Sequence, residues 1–334
     1  MEMNMTRPIA LFSSKWAAEP FADFCRKASA WGDDGLEIAC FGDHFDFRQA
    51  AEDESYVREK KNILAQNSLV CCALSAHKAG HCVGAQYDPR YEGLLPEGVR
   101  GAKAMREWGV AQIQFAIRAA KSMGVSTIVG FMGSPIWSYW YSYPPTTKNL
   151  LDKGYAEIKE LWEPLLDEMD SCGLRFALEV HPTDIAFDFY TAHRLLEVFE
   201  HRKTLGFTMD PSHFVWQGMN PALFVRDFGA YIYHVHMKDV SINRDGRSGV
   251  LGSFLDFGDT RRYWNPRTLG RGAVNFEELI RELNAVNYRG ALSVEWEDNG
   301  MEKDHSAEEC LEFVRRYNYS PNKGAFDAYM TRKE

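Results

Sequence analysis

The segment FALEVHP (residues 176–182) ends an apolar run with a carboxylate, Glu179, and an imidazole, His181. Phe176, Ala177, Leu178 and Val180 read as a buried strand, where an unpaired charge costs several kcal/mol. Three later runs end in the same way. MDPSH places Asp210 and His213 three residues apart, YHVHMKD sets His234, His236 and Lys238 on one face by the period of two, and SVEWED puts Glu295 and Glu297 on a common face. A divalent cation shared by Glu179, Asp210, His236 and Glu295 would hold these buried carboxylates. Three carboxylates and one imidazole with open positions suit Mn²⁺ first, then Mg²⁺, Co²⁺ or Fe²⁺, better than a thiolate site. No CxxC suggests structural zinc. One glutamate at a strand end is more often a surface or salt-bridged residue. Four such groups ending four successive strands are hard to attribute to chance.

A repeating framework must bring these ends together. Candidate strands are 7–13, 35–41, 69–76, 126–132, 174–180, 205–210, 231–238 and 290–297, most of them near-continuous apolar runs, as parallel strands covered on both faces require. Helical periods lie between them. Phe21, Phe24, Cys25 and Ala28 share a face, as do Phe276, Leu279, Ile280 and Leu283, and Cys310, Phe313, Val314 and Tyr317. Asn275 with Glu278 and Ser306 with Glu309 read as capping boxes, and Asn220-Pro221 as Ncap and N1. Gly124, Gly173 and Gly290 fall in helix-to-strand turns. Eight strand-helix units predict an α/β protein with a (β/α)8 barrel, a single domain over 1–334. A doubly wound open sheet is the runner-up, but no GxGxxG follows the first strand. The long connections, about 77–100, 133–148 and 239–274, all follow strands and so lie on the C-terminal face, where long loops are usually functional.

Bulk properties narrow the class. The chain has 334 residues, 45% hydrophobic and 25% charged, enough for a large core. A net charge of −9 without a basic run disfavours nucleic-acid and anionic-membrane surfaces. MEMNMTRPIA lacks the apolar centre of a signal peptide, and no stretch approaches the roughly 18 apolar residues of a membrane span. Seven cysteines, two adjacent at Cys71 and Cys72, do not form a disulfide framework. A soluble, reduced, cytoplasmic protein is expected.

LEVHP, DPSHF, HVHMKD and SVEWED, in this order and spacing, resemble the xylose isomerase-like sugar isomerase/epimerase superfamily, which also contains endonuclease IV. The resemblance covers nearly the whole chain. It implies one divalent metal on Glu179, Asp210, His236 and Glu295, the two glutamates flanking the substrate as acid and base, and His213 touching substrate oxygens. Epimerases of the D-tagatose 3-epimerase type carry an arginine six residues after the metal histidine. Ile242 stands there in this chain, so their remaining substrate contacts do not transfer. The Glu-x-His of strand five and the length are also similar to the larger subunits of bacterial C-glycoside deglycosidases, which cleave 3-oxo-glycosides with a small β-rich partner subunit. That similarity implies His181 as base.

These reactions share removal of a proton next to a carbonyl, with charge growing on oxygen; a metal stabilises that charge as a Lewis acid. Carboxylates on either face remove and return the proton, a gain of roughly 10²–10⁴. Return to the other face gives an epimer, return to the neighbouring carbon an isomer, and a leaving group one carbon on gives elimination. Isomerisation or epimerisation of a keto sugar is the first expectation and cleavage of a 3-oxo-glycoside the second, in a homo-oligomer.

Other residues remain open. SPIWSYWYSYPP places Trp137, Tyr139, Trp140, Tyr141 and Tyr143 after strand four, where they meet the substrate, cover the barrel or form a subunit interface. His77, ending strand three, either binds substrate or is structural. Glu37 faces the mouth or packs within its strand, and His44 and His81 are undecided. Lys238 neutralises an oxyanion or pairs with Asp239, the pair being favoured. His193, His201 and His305 read as solvated, and Cys71 and Cys72 as buried strand residues without a redox role. An endonuclease IV-like enzyme would need further histidines, including an Asp-x-His after strand seven, and 240–273 has none. A non-catalytic sugar-binding barrel predicts no turnover of any keto sugar.

Overall fold

Apolar runs become strands here because both of their faces are covered. In the computed structural model, which describes residues 7–322, the barrel strands are β1 (Ile9–Phe12), β2 (Gly35–Ala39), β3 (Val70–Ser75), β4 (Thr127–Gly130), β5 (Arg175–Glu179), β6 (Leu205–Met209) and β7 (Ile232–Met237). The eighth, β10 (Leu292–Val294), follows a short antiparallel pair, β8 (Asp239–Ile242) and β9 (Trp264–Arg267). All eight barrel neighbours pair in parallel, and β1 against β10 closes the ring through Ile9 opposite Leu292 and Leu11 opposite Val294. The ends of the 1–334 span assigned to one domain lie outside the described residues.

The helices are α1 (Phe21–Trp31), α2 (Phe47–Glu52), α3 (Glu54–Gln66), α4 (His77–Gly84), α5 (Gly101–Met123) and α6 (Lys148–Ser171) in the first half. Then come α7 (Phe189–Val198), α8 (Pro211–Trp216), α9 (Pro221–Phe228), α10 (Phe276–Ala285) and α11 (Lys303–Tyr317). Their apolar stripes, such as Phe276, Leu279, Ile280 and Leu283 of α10, are fully buried against the strands. Among the described residues no helix is long and apolar enough to cross a membrane.

Every expected strand is present, each shorter than its apolar run. The ladder ends where site residues begin: Glu295 and Glu297 lie past Val294, and Asp210 past Met209. Two start signals differ from expectation. The α11 N-cap is Glu302, whose carboxylate accepts from the Asp304 and His305 amides; Ser306 is buried in the first turn against Thr268, and Glu309 pairs with Arg271. Asn275 does cap α10 by accepting from the Glu278 amide, but the Glu278 carboxylate meets the Asn275 side-chain amide, so the box is not reciprocal. Asn220 caps α9 with Pro221 at N1, as expected.

The 77–100 connection opens directly into α4, which presses on the end of β4. A Cβ at Gly80 would fall 2.0 Å from the Phe131 carbonyl oxygen, so only glycine permits this approach. The approach sets His77 and Phe131 side by side, their rings 4.8 Å apart.

Candidate metal and active site

Each expected ligand sits where a strand leaves the barrel. Asp210 caps α8: its Oδ1 accepts from the Ser212 amide at 2.8 Å, which turns Oδ2 toward the axis. His236, the penultimate residue of β7, has Nε2 3.0 Å from Glu37 Oε2 and Nδ1 3.0 Å from Glu295 Oε2. Glu179 Oε2 lies 3.7 Å from that same Nδ1 and 2.9 Å from His77 Nε2. One donor atom from each of Glu179, Asp210, His236 and Glu295 falls within 4.8 Å of every other.

Three atoms of this cluster, Asp210 Oδ2, His236 Nδ1 and Glu295 Oε2, are buried and meet their neighbours only as ion pairs of poor hydrogen-bond geometry, Nδ1 3.0 Å from Oε2 and Oδ2 3.1 Å from His213 Nε2. Buried polar atoms normally form well-directed hydrogen bonds, so carboxylate and imidazole donors that converge without that geometry mark a place for a cation. The residues fit a divalent metal bound through hard oxygens and one imidazole. Without it, the carboxylates draw protons onto the imidazoles. Burial disfavours a charged His213, yet Asp210 at 3.1 Å and Glu179 at 3.2 Å push its pKa up to about 9. Burial likewise opposes charge on His236, but Glu37 and Glu295 raise its pKa well above the ordinary value. Burial would raise the Glu179 carboxyl; its contacts with His213 and His77 hold it well below the usual range instead.

Glu37 proves to be the hidden partner. It is fully buried inside the barrel, and its Oε2 meets His236, His234 (2.8 Å) and the Ser293 hydroxyl (2.8 Å). The β2–β3 register shifts between Leu36 and Glu37, and such irregularities re-aim side chains next to sites. Its own second oxygen is unpartnered.

Residues 25–317 match the family described as Xylose isomerase-like TIM barrel. The chain belongs to that family. It is 25% identical to the uncharacterized protein YfiH of Bacillus subtilis over 317 residues, covering 89% of this chain and 95% of that one. An inosose dehydratase of Clostridium botulinum is 26% identical over 188 residues, 56% of this chain and 58% of its own. The fold also matches 3-keto-D-glucoside 4-epimerase from E. coli, with TM-score 0.65 and 17% identity over 93% of this chain and 99% of that one.

In this xylose isomerase-like barrel the cluster opens into a cavity of about 640 Å³. His181 lines it, wedged between Phe131 (4.8 Å) and His213 (4.2 Å) with Nδ1 unpartnered. Burial, and then the neighbouring His213 charge, pull its pKa down to about 3, so the ring is a neutral base. His77 heads α4 rather than ending β3, its Nδ1 2.7 Å from the Ser75 hydroxyl and its Nε2 on Glu179.

Two expectations need correction. Lys238 does not pair with Asp239. It reaches Glu297 at 2.7 Å, Glu295 at 3.3 Å and Asp210 at 3.7 Å, because alternate residues of an extended strand face opposite ways. Asp239 instead accepts the backbone amides of Val240, Gly270, Gly272 and Val274. Trp137 is absent from the wall of the 640 Å³ cavity. It packs on Trp140 and Phe187 and borders an adjoining cleft of about 350 Å³ that includes His81 and shares Leu94 and Thr183 with the cavity. The 239–274 insert does reach the cavity, through Phe257, Trp264 and Pro266.

Of the undecided histidines, His44 is buried between Phe21 and Phe24, and His81 stands 3.8 Å from Asp184. His193, His201 and His305 are exposed. Cys71 and Cys72 are free and half-buried.

Proposed function

We propose that this protein is a divalent-metal-dependent isomerase or epimerase of a keto sugar. The observation that carries the reading is the convergence of donor atoms from Glu179, Asp210, His236 and Glu295 at one buried point, with Glu179 and Glu295 also lining the open cavity. A bound metal, Mn²⁺ by preference for this donor set, would polarise the carbonyl and stabilise the developing oxyanion. Glu179 and Glu295 take the proton from carbon and return it. His213 and Lys238 donate to substrate oxygens, and His77 holds the Glu179 carboxylate in place. The unpaired cysteines, all seven free, favour a reducing compartment, and we place the enzyme in the cytoplasm as a homo-oligomer.

A second reading is favoured by one observation, the neutral, unpartnered His181 on the cavity wall. There the same proton loss is followed by departure of an aglycone from a 3-oxo-glycoside, with a small β-rich partner subunit assisting. Incubation in D₂O with ketohexoses, and separately with 3-oxo-glycosides, tests both readings. Deuterium in a free sugar with a changed stereocentre or carbonyl position supports the first, and aglycone release the second. No exchange into any keto sugar at saturating metal would favour a binding barrel over an enzyme.

A further inference from the structure

The strand that carries His236 also brings an ammonium against the ligand cluster. Lys238 stands two residues further on, on the same face by the period of two, and is only 5% exposed. Its Nζ lies 2.7 Å from Glu297, 3.3 Å from Glu295 and 3.7 Å from Asp210, and no other carboxylate among the described residues pairs with it. Glu295 and Asp210 belong to the four-ligand cluster, and Glu297 stands outside it. The buried ammonium and a divalent cation therefore draw on the same two carboxylates. We infer that Glu297 is a positioning residue: it draws the Lys238 ammonium toward itself and so leaves Glu295 and Asp210 free to hold a metal. The inference rests on reading the cluster as a divalent-metal site.

Distance and anchoring both give Glu297 this role. Coulombic attraction weakens with separation, so the shortest of the three contacts holds the largest share of the ammonium. The carboxylate is also fixed from its other side. Its Oε2 faces Lys238, while its Oε1 meets Lys15 at 2.8 Å, on the turn after β1 (Ser13–Trp16). The three side chains run inward from the mouth, Lys15 at 42% exposed, Glu297 at 29% and Lys238 at 6%. A glutamate gripped at its outer oxygen offers the inner one at a fixed place. An ammonium buried as deeply as Lys238 needs a counter-ion. Without the Glu297 charge only Glu295 and Asp210 remain, and Lys238 would compete with the metal for both.

The test is a double-mutant cycle on Mn²⁺ affinity, read by chelator-competition titration of the full chain. Lys238→Met removes the competitor and should tighten binding by about tenfold or more. Glu297→Gln keeps the shape, releases Lys238 onto the ligands and should weaken binding by about tenfold. In the Lys238→Met background, Glu297→Gln should change affinity by less than about threefold, because no ammonium is left to hold. A carboxylate acting only through its own charge would cost the same factor with or without Lys238. That additive result overturns the proposal, and so does a Lys238→Met protein that binds Mn²⁺ no tighter than wild type.

Circular dichroism checks the fold of each protein. Should Glu297→Gln not fold, Glu297→Asp takes its place in the cycle with the same expected pattern, since it keeps the charge but withdraws the carboxylate by one methylene. Failure of the underlying reading looks different. If none of the proteins binds Mn²⁺, the metal centre itself falls, and the proposal falls with it.

Discussion

Glu37 fixes the ring of His236 from inside the barrel, its Oε2 3.0 Å from Nε2, so that Nδ1 is turned out toward the mouth. A carboxylate behind a ligating imidazole sets its tautomer and raises its basicity, and losing such a partner typically costs 10–100-fold in metal affinity. Glu37→Gln keeps the shape and removes the charge. Chelator-competition titration should show Mn²⁺ affinity down within about that 10–100-fold range, in protein whose circular dichroism matches wild type. Affinity within twofold of wild type would show that Glu37 serves only the fold.

The carboxylates of Glu179, Asp210 and Glu295 crowd one buried point, and a cation there should stabilise the folded chain. At a hundred times its dissociation constant a metal adds about 2.7 kcal/mol. Chelator-treated protein should therefore melt several degrees lower than Mn²⁺-loaded protein, and the difference should vanish in Asp210→Asn/Glu295→Gln. Elemental analysis of that double variant should find no bound metal. A double variant that retains full metal and the full melting shift removes this centre.

The four ligands were legible because each is a charged residue ending an apolar run, and the period of two gives the face of His236 without any structure. Glu37 was not. It interrupts the apolar strand GLEIA at mid-length, and an inward glutamate there looks the same in sequence as one packed outward. What settles it is a partner 199 residues away, and no local pattern carries that distance. Lys238 failed for a related reason: adjacency to Asp239 suggested a pair, but the strand geometry sends the two side chains apart. The capping box read at Ser306 and Glu309 does not form, because Glu302 caps the helix one turn earlier, Ser306 bonds Thr268 and Glu309 is held by Arg271.

The aromatic loop after β4 was left open between substrate contact, barrel cover and subunit interface, and the position of Trp137 decides which aromatic residues should govern kinetics. Trp264 lines the cavity and is stacked flat on Trp216 at 4.6 Å, whereas Trp137 borders the neighbouring cleft. Trp264→Ala should raise KM by about tenfold, in line with an aromatic face lost from a binding site. Trp137→Ala should change it by less than about threefold, as for surface substitutions away from a site. Steady-state assays of both variants decide the matter, and the reverse order of effects would restore the loop as the substrate cover.

His44 gives stability a pH dependence far from the ligands. Both ring nitrogens are buried without partners, and burial, then the Lys60 charge, lowers its pKa to about 4. The unfolded chain takes up this proton near pH 6.5 and the folded chain does not, so stability is fully present above 6.5 and drains away as pH falls toward 4. At pH 5 the loss from this one group is on the order of 2 kcal/mol. His44→Leu, which cannot bind the proton, should show a smaller fall in urea midpoint between pH 7.5 and pH 5 than wild type. Identical falls in the two proteins would mean that the ring finds a partner when charged.

His181 separates the two reactions open to this site. Burial, and then the charge at His213, lower the pKa of its ring, and its unpartnered Nδ1 belongs to a side chain on the cavity wall. An epimerase working through Glu179 and Glu295 does not need this base, and His181→Ala should then keep activity within about tenfold, below the roughly 10²–10⁴ that loss of a general base costs. A lyase that draws its proton through His181 should lose the whole of that factor. Deuterium exchange measured alongside turnover assigns the lost step: exchange that disappears with turnover makes His181 the base, and exchange that survives moves its role to a later step.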